Sequence, residues 1–165
     1  MGLLTFPSQV NERAARLVAA TVALTLAVAW VTSTWWLVPV VALGFGLRVL
    51  SGPTLSPLAR LSVWAASRLF ATRPVAGAPK RFAQGIGAAC TTAASVLFFV
   101  GAAPAAWALV LMVVAFATLE ASLSFCMGCW IYAKLQQVGV LASDACVECA
   151  NIGPPSRRLT PDAPR

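Results

Sequence analysis

Four apolar runs, at about residues 10–32, 35–50, 82–101 and 105–127, take up most of the chain. Each approaches the roughly 20 residues an α-helix needs to cross the hydrocarbon core of a bilayer, the second being the shortest. A chain of 165 residues of which 59% are hydrophobic and 10% charged has too much surface for its volume to hide that apolar content in one aqueous core. Soluble domains carry roughly 25% charged residues. The expectation is therefore an all-α integral membrane protein, a four-helix bundle of two helical hairpins, with the lipid bilayer as solvent for its outer faces.

Punctuation between the runs supports that division. Ser8 can cap the first helix, and Thr32, Ser33 and Thr34 form a polar turn before the second. Pro39 falls in the second helix's first turn, where a missing N–H is tolerated. The Gly101–Pro104 turn separates the third run from the fourth. A cleaved signal peptide is the other reading of Arg13 and Arg16 before an apolar run. It lacks a small-x-small cleavage site and leaves three more spans unexplained. Over residues 57–73, Arg60, Trp64 and Arg68 recur at four-residue spacing, which predicts an interfacial amphipathic helix whose Arg stems snorkel to headgroups. The predicted organisation is a membrane domain over 1–139, a cytoplasmic cysteine-containing segment over 140–152 and a disordered, proline-rich tail over 153–165.

Orientation is read from the twelve Lys and Arg residues. Arg13 and Arg16 lie in the N-terminal segment; Arg48, Arg60, Arg68, Arg73, Lys80 and Arg81 lie around the long middle segment; Lys134, Arg157, Arg158 and Arg165 follow the fourth run. The two short turns hold none. Cations are retained on the cytoplasmic side, so both termini and the middle segment are expected inside the cell. The net charge of +7 thus reports topology, and no nucleic-acid partner is expected. Trp30, Trp35, Trp36 and Trp107 gather near the uncharged turns and Trp64 and Trp130 on the basic side, as headgroup-seeking rings should.

The chemistry starts from an exclusion. With no histidine and only five acidic residues, no Ser-His-Asp or Cys-His arrangement exists, and a two-carboxylate hydrolase is not expected because only Glu120 lies inside the hydrophobic body and a carboxylate pair needs a near neighbour. That carboxylate needs a partner or becomes protonated. Arg16 and Arg48 are the candidates, with Asn11 as a neutral alternative. The pair would either fix helix register or act as a proton or ligand relay. Gly85, Ala89 and Ala93, four residues apart, predict the close-contact face of the third helix. Cys90 among them reads as a small buried residue.

Cys126 and Cys129, at the end of the fourth run, and Cys146 and Cys149 form two C-x2-C pairs. Such a doublet suits a tetrathiolate Zn2+ site, or with less support an iron–sulfur cluster, and equally a dithiol that cycles with a disulfide. A permanent disulfide is the least attractive reading on a reducing cytoplasmic side; inert small residues are the bland one. If the fourth helix runs unbroken through Cys129, the thiols sit at its negative end and are deactivated. If Gly128 breaks it, Cys129 begins a new helix and is activated.

Taken together these features resemble the bacterial domain-of-unknown-function family numbered 4395. The resemblance spans Val10 to Ile152. It is carried by Val10, Asn11 and Glu12 with Arg13 and Arg16; by Leu47 and Arg48; by Ser56 to Leu58 with Ala59 and Arg60; and by Pro79 to Ala83 with Gly85 and Gly87. It continues through Leu119 to Ala121, Phe125 to Cys129 and Tyr132, and ends in Cys146 to Ile152. It implies a small multi-pass protein of the bacterial inner (plasma) membrane. It also implies a thioredoxin-fold or sulfurtransferase partner, because genes of the family often neighbour such proteins. Gly44 stands where many relatives are expected to carry an acid.

The reading that follows is a membrane protein acting in thiol redox or sulfur handling, with thiol–disulfide exchange at Cys126 and Cys129 and Glu120 as relay or ion pair. A structural protein with zinc on Cys126, Cys129, Cys146 and Cys149 is the second reading. A transporter of a small sulfur species is the third, and four helices imply a homo-oligomer for that role.

Overall fold

The chain is described by a computed structural model over residues 9–52, 56–69 and 73–140. Its elements in order are β1 (Gln9–Asn11), α1 (Glu12–Val31), α2 (Leu37–Ser51), α3 (Pro57–Leu69), β2 (Pro74–Ala76), α4 (Gly77–Phe99), α5 (Ala103–Leu123) and α6 (Met127–Gln137). Helices α1, α4 and α5, of 20, 23 and 21 residues, are long and apolar enough to cross a membrane. α2 is apolar but has 15 residues, roughly 22 Å at 1.5 Å per residue, shorter than a typical hydrocarbon core.

Several boundaries differ from the sequence expectation. The first helix starts at Glu12 rather than residue 10, because Gln9–Asn11 pair antiparallel with Pro74–Ala76, in the register Gln9 with Ala76 and Asn11 with Pro74. Asn11, not Ser8, is the N-cap: its Oδ1 accepts from Arg13 N–H at 3.0 Å, satisfying a donor the first turn leaves open. Ser8 lies outside the described residues. The amphipathic helix ends at Leu69 rather than 73, and Arg73 already belongs to the ribbon: its carbonyl accepts from Glu12 N–H at 2.9 Å and its guanidinium meets Glu12 at 3.3 Å. This ribbon, which an all-α reading omits, ties the start of α1 to the start of α4. The third and fourth helices occupy 77–99 and 103–123 instead of 82–101 and 105–127.

Tight turns connect α1 to α2 and α4 to α5, but the most extensive packing pairs α1 with α5 and α2 with α4, and α4 also lies along α5. Val18, Val22 and Leu26 of α1, Val38, Val41 and Phe45 of α2, Ala94 of α4 and Val110 and Val113 of α5 form the shared interior. The outer faces are apolar as well, with Leu24, Leu43 and Phe99 each about two-thirds exposed or more. Only Ala106, Val110 and Val113 of α5 are buried. A helix apolar all round yet largely uncovered by protein is suited to lipid. Buried hydroxyls of α4 turn to their own helix: Thr91 donates to Gly87 O at 2.7 Å and Ser95 to Thr91 O at 2.8 Å, which satisfies both donors without water. At the uncharged end, Trp35 meets Phe98 and Phe99 at centroid distances of 6.2 and 5.3 Å, and Phe98 meets Trp107 at 4.8 Å. These rings bring the two short turns together.

In α3, Arg60, Trp64 and Arg68 all lie exposed, with the Arg68 guanidinium 5.8 Å from the Trp64 ring. The buried face consists of the small residues Ala59, Ser62 and Ala66, which let α3 lie close against α1.

The small-residue face of α4 is not the expected one. Ala89 and Ala93 are exposed, and a Cβ at Gly85 would meet nothing within 4 Å. Contact is made about two residues further round the helix, by Gly87, Thr91, Ala94 and Ser95. A Cβ at Gly87 would fall 2.6 Å from the Phe45 ring of α2. Four-residue spacing fixes a stripe's direction but not which stripe faces the neighbour. Gly85→Ala is accordingly expected to leave the unfolding transition in detergent unchanged or slightly raised, whereas Gly87→Ala should cost about 1–3 kcal/mol by overpacking against Phe45. Equilibrium unfolding in mixed micelles checks the order of the two variants.

Candidate functional site: a dithiol beside a buried ion pair

The basic ends of the helices converge. Arg16 of α1 reaches the end of α5, where its Nε and Nη2 donate to Ala121 O at 3.0 and 2.8 Å and Nη2 also to Ser122 O at 3.0 Å. Arg81 of α4 donates to Val49 O of α2 at 3.0 Å. A guanidinium on the last carbonyls of a helix satisfies acceptors that have no partner within it and opposes the negative end of its dipole.

Glu120, one residue before the Arg16 contact, pairs with neither Arg16 nor Arg48, the two expected partners, nor with Asn11. Its Oε1 accepts from Lys80 Nζ of α4. The two side chains are 12% and 16% exposed, so the ion pair is nearly dry. Arg16 is committed to the α5 carbonyls, while Arg48 donates from Nε to Gln84 Oε1 at 2.9 Å and stacks at 4.6 Å on Phe45. Lys80 lies outside the apolar run of residues 82–101, so its proximity to Glu120 leaves no sequence signal; α4 begins at Gly77 and carries Lys80 in its first turn.

Three residues beyond Glu120, after Leu123, the chain leaves α5. Ser124 adopts a left-handed conformation with φ 59° and Cys126 an extended one before α6 starts at Met127. The break thus comes before the C-x2-C motif rather than at Gly128, and the activated position is Cys126, not Cys129. Cys126 is the N-cap of α6: its Sγ accepts from Cys129 N–H at 3.4 Å and from the Cys129 thiol at an Sγ–Sγ distance of 2.8 Å. Thiol donation from Cys129 is the main influence that holds Cys126 below the usual thiol range, against burial, which pushes it up; Glu120 and Lys80 act on it in opposite directions. The same hydrogen bond, and then burial, push Cys129 far up, because losing its proton would remove the donor. The two thiols are therefore unequal: Cys126 is the one poised to ionise.

Two contacts hold α6 in place. Phe82 and Tyr132 pack at 5.5 Å, and Gly128 lies so close to α4 that a Cβ there would sit 2.6 Å from Ala83 Cα and Cβ. An apolar cavity of about 120 Å³ opens beside the motif, lined by Cys126, Glu120, Gly87 and Phe116. Cys90, half-buried on α4, lines it from deeper in the helix layer. Cys146 and Cys149 lie outside the described residues, as do the segment beyond residue 140 and the tail. Among the described residues no group of three or more candidate metal ligands is assembled.

Two outcomes follow from this packing. Gly128→Ala must push α6 away from the Ala83 backbone, and should cost about 1–3 kcal/mol. Removing one member of the ion pair strands the other: Lys80→Met or Glu120→Leu alone should destabilise by about 3–5 kcal/mol, whereas the double variant recovers most of that loss. Unfolding titrations of the four proteins in one double-mutant cycle measure it.

Neither the curated proteins nor the solved structures contain a match to this chain. The family model described as a domain of unknown function, DUF4395, matches residues 10–137. That match runs from the ribbon through the last turn of α6 and includes Lys80, Glu120, Cys126 and Cys129, so the chain belongs to the DUF4395 family.

Proposed function

We propose that this protein is a membrane-embedded thiol–disulfide exchange module, with Cys126 as nucleophile and Cys129 as resolving thiol. The observation that carries the reading is the cap of α6: a thiol at a helix N-terminus, accepting from both the N–H and the S–H of its partner cysteine, has the environment that favours a thiolate. α1, α2, α4 and α5 would form the four spans, with the cationic ends and both termini at the cytoplasmic face of a bacterial inner membrane. The convergence of Arg16, Lys80 and Arg81 at one end and of Trp35 and Trp107 at the other supports that orientation.

In the exchange, the Cys126 thiolate attacks one sulfur of a disulfide in a thioredoxin-fold partner, forms a mixed disulfide and expels the partner's first thiolate. Cys129 then attacks Cys126 Sγ, closing the Cys126–Cys129 disulfide and expelling the partner's second thiolate. The proton Cys129 gives up passes to a departing thiolate. The partner leaves reduced by two electrons and the membrane protein oxidised by two. Run in reverse, the same steps reduce the membrane protein. Lys80 and Glu120 hold the helices that present the two sulfurs and keep the immediate surroundings close to neutral, so neither thiol faces an uncompensated charge.

The test is alkylation of purified protein by iodoacetamide followed by peptide mapping across pH. Cys126 should be the modified residue, with its midpoint below the ordinary thiol range and Cys129 protected. Cys129→Ala, which removes the thiol donor, should move the midpoint up; Cys129→Ser, whose hydroxyl can still donate, should move it less. Equal labelling of the two thiols, or a midpoint that Cys129→Ala leaves in place, counts against the exchange reading. Stoichiometric Zn2+ with all four thiols of Cys126, Cys129, Cys146 and Cys149 protected until a chelator is added would replace it with the structural-zinc reading.

A further inference from the structure

On the other side of the Lys80–Glu120 pair lies a second, open cavity of about 260 Å³, bordered by β1, α1, the end of α2, α3 and the first turns of α4. Its walls are mostly apolar, with Val18, Ala59 and Val63 among them, but its polar side chains come from Arg48, Lys80, Gln84 and Asn11 together with Gln9. No carboxylate among the described residues borders it. Arg48 is only 5% exposed. Its Nε is committed to Gln84, yet its Nη2, fully buried, has no hydrogen-bond partner among the described residues. A guanidinium taken out of water is costly unless a counter-charge and acceptors replace the solvent. Both carboxylates in the described residues are engaged elsewhere, Glu12 with Arg73 and Glu120 with Lys80.

What would satisfy this site is therefore an acceptor-rich group carrying negative charge. The guanidinium is a planar fork matched to two oxygens of one anion. Gln84, whose carbonyl oxygen faces Arg48, keeps its amide N–H groups as further donors, and the Lys80 ammonium has donors beyond the one used on Glu120. We propose that this cavity is a binding site for a tetrahedral oxyanion of the phosphate type, with the Arg48 guanidinium as its principal ligand. Two sources present that chemistry: a free anion, and the phosphate of a phospholipid headgroup whose acyl chains lie along the apolar walls. A groove lined by Thr21, Thr25 and Ser56, which Arg48 also borders, contributes no second cation and is the poorer host. Because Lys80 borders this cavity while its partner Glu120 borders the one beside Cys126, an anion here would bear directly on the pair next to the dithiol.

The experiment uses the full chain in phosphatidylcholine nanodiscs and reads the thermal transition. One arm adds inorganic phosphate; the other replaces part of the lipid with phosphatidylglycerol. The wild-type protein is expected to show a saturable rise in Tm in at least one arm, and the arm that responds identifies the source. In Arg48→Gln the half-maximal concentration should rise about tenfold or more, the loss of a charge-assisted hydrogen bond. The control Lys134→Gln, on the exposed face of α6, should respond as wild type. Val63→Trp narrows the cavity from its α3 wall with the guanidinium intact, and should abolish the response even if Arg48→Gln does not fold. Absence of a saturable shift in both arms overturns the proposal, as does an unchanged response in Arg48→Gln or Val63→Trp. The readout is binding, so it stands or falls separately from thiol exchange.

Discussion

The Lys80–Glu120 ion pair is the constraint on which the rest of this architecture turns. It joins the first turn of α4 to the last two turns of α5 in nearly dry surroundings, where a single uncompensated charge is costly. Held there, α4 fixes where α6 packs, through Phe82 against Tyr132 and Ala83 against Gly128. The end of α5 in turn fixes where the chain must break to present Cys126. The position of the thiols thus follows from pairing one acid with one base across two consecutive helices, the two residues lying forty positions apart in sequence.

Charges elsewhere at this end follow the same economy. Arg16 and Arg81 cover the terminal carbonyls of α5 and α2, and Arg73 meets Glu12 at the ribbon. Each contact joins a different pair of elements, so the cationic end is cross-linked electrostatically while the opposite end is held by rings, Trp35, Phe98, Phe99 and Trp107. Packing in lipid gains nothing from the apolar effect between helices. Close approach at Gly87 and Gly128 and polar contacts at the helix ends supply cohesion in its place. Arg48 stands apart: it is buried and stacked on Phe45, and its Nη2 has no hydrogen-bond partner among the described residues.

The dithiol draws its asymmetry from one turn of backbone. Had α5 continued, Cys126 and Cys129 would both lie at a helix C-terminus, where the dipole opposes ionisation. The left-handed Ser124 ends the helix early, and three residues later the same chain faces the positive end of α6. Equivalent residues by type become donor and acceptor by position. The cavity that Cys126 shares with Cys90 and Glu120 gives this face an apolar approach.

Much of this was legible in the residues themselves. Apolar content and run length depend only on composition and order, and they were sufficient for a mostly helical chain with helices long and apolar enough to cross a membrane, for the family, and for the need of Glu120 to find a partner. The partner itself was not legible, because choosing Lys80 over Arg16 or Arg48 depends on how far α4 extends and how it is rotated against α5. The contact face of α4 turned out to be Gly87 rather than Gly85 for the same reason, and the ribbon at Asn11 and Arg73 unites residues too few and too distant in sequence to leave a periodic signal. Sequence determined what must be kept from water and which charges must be neutralised; only the tertiary structure decided which groups do the neutralising, since that depends on distances between helices that no local pattern encodes.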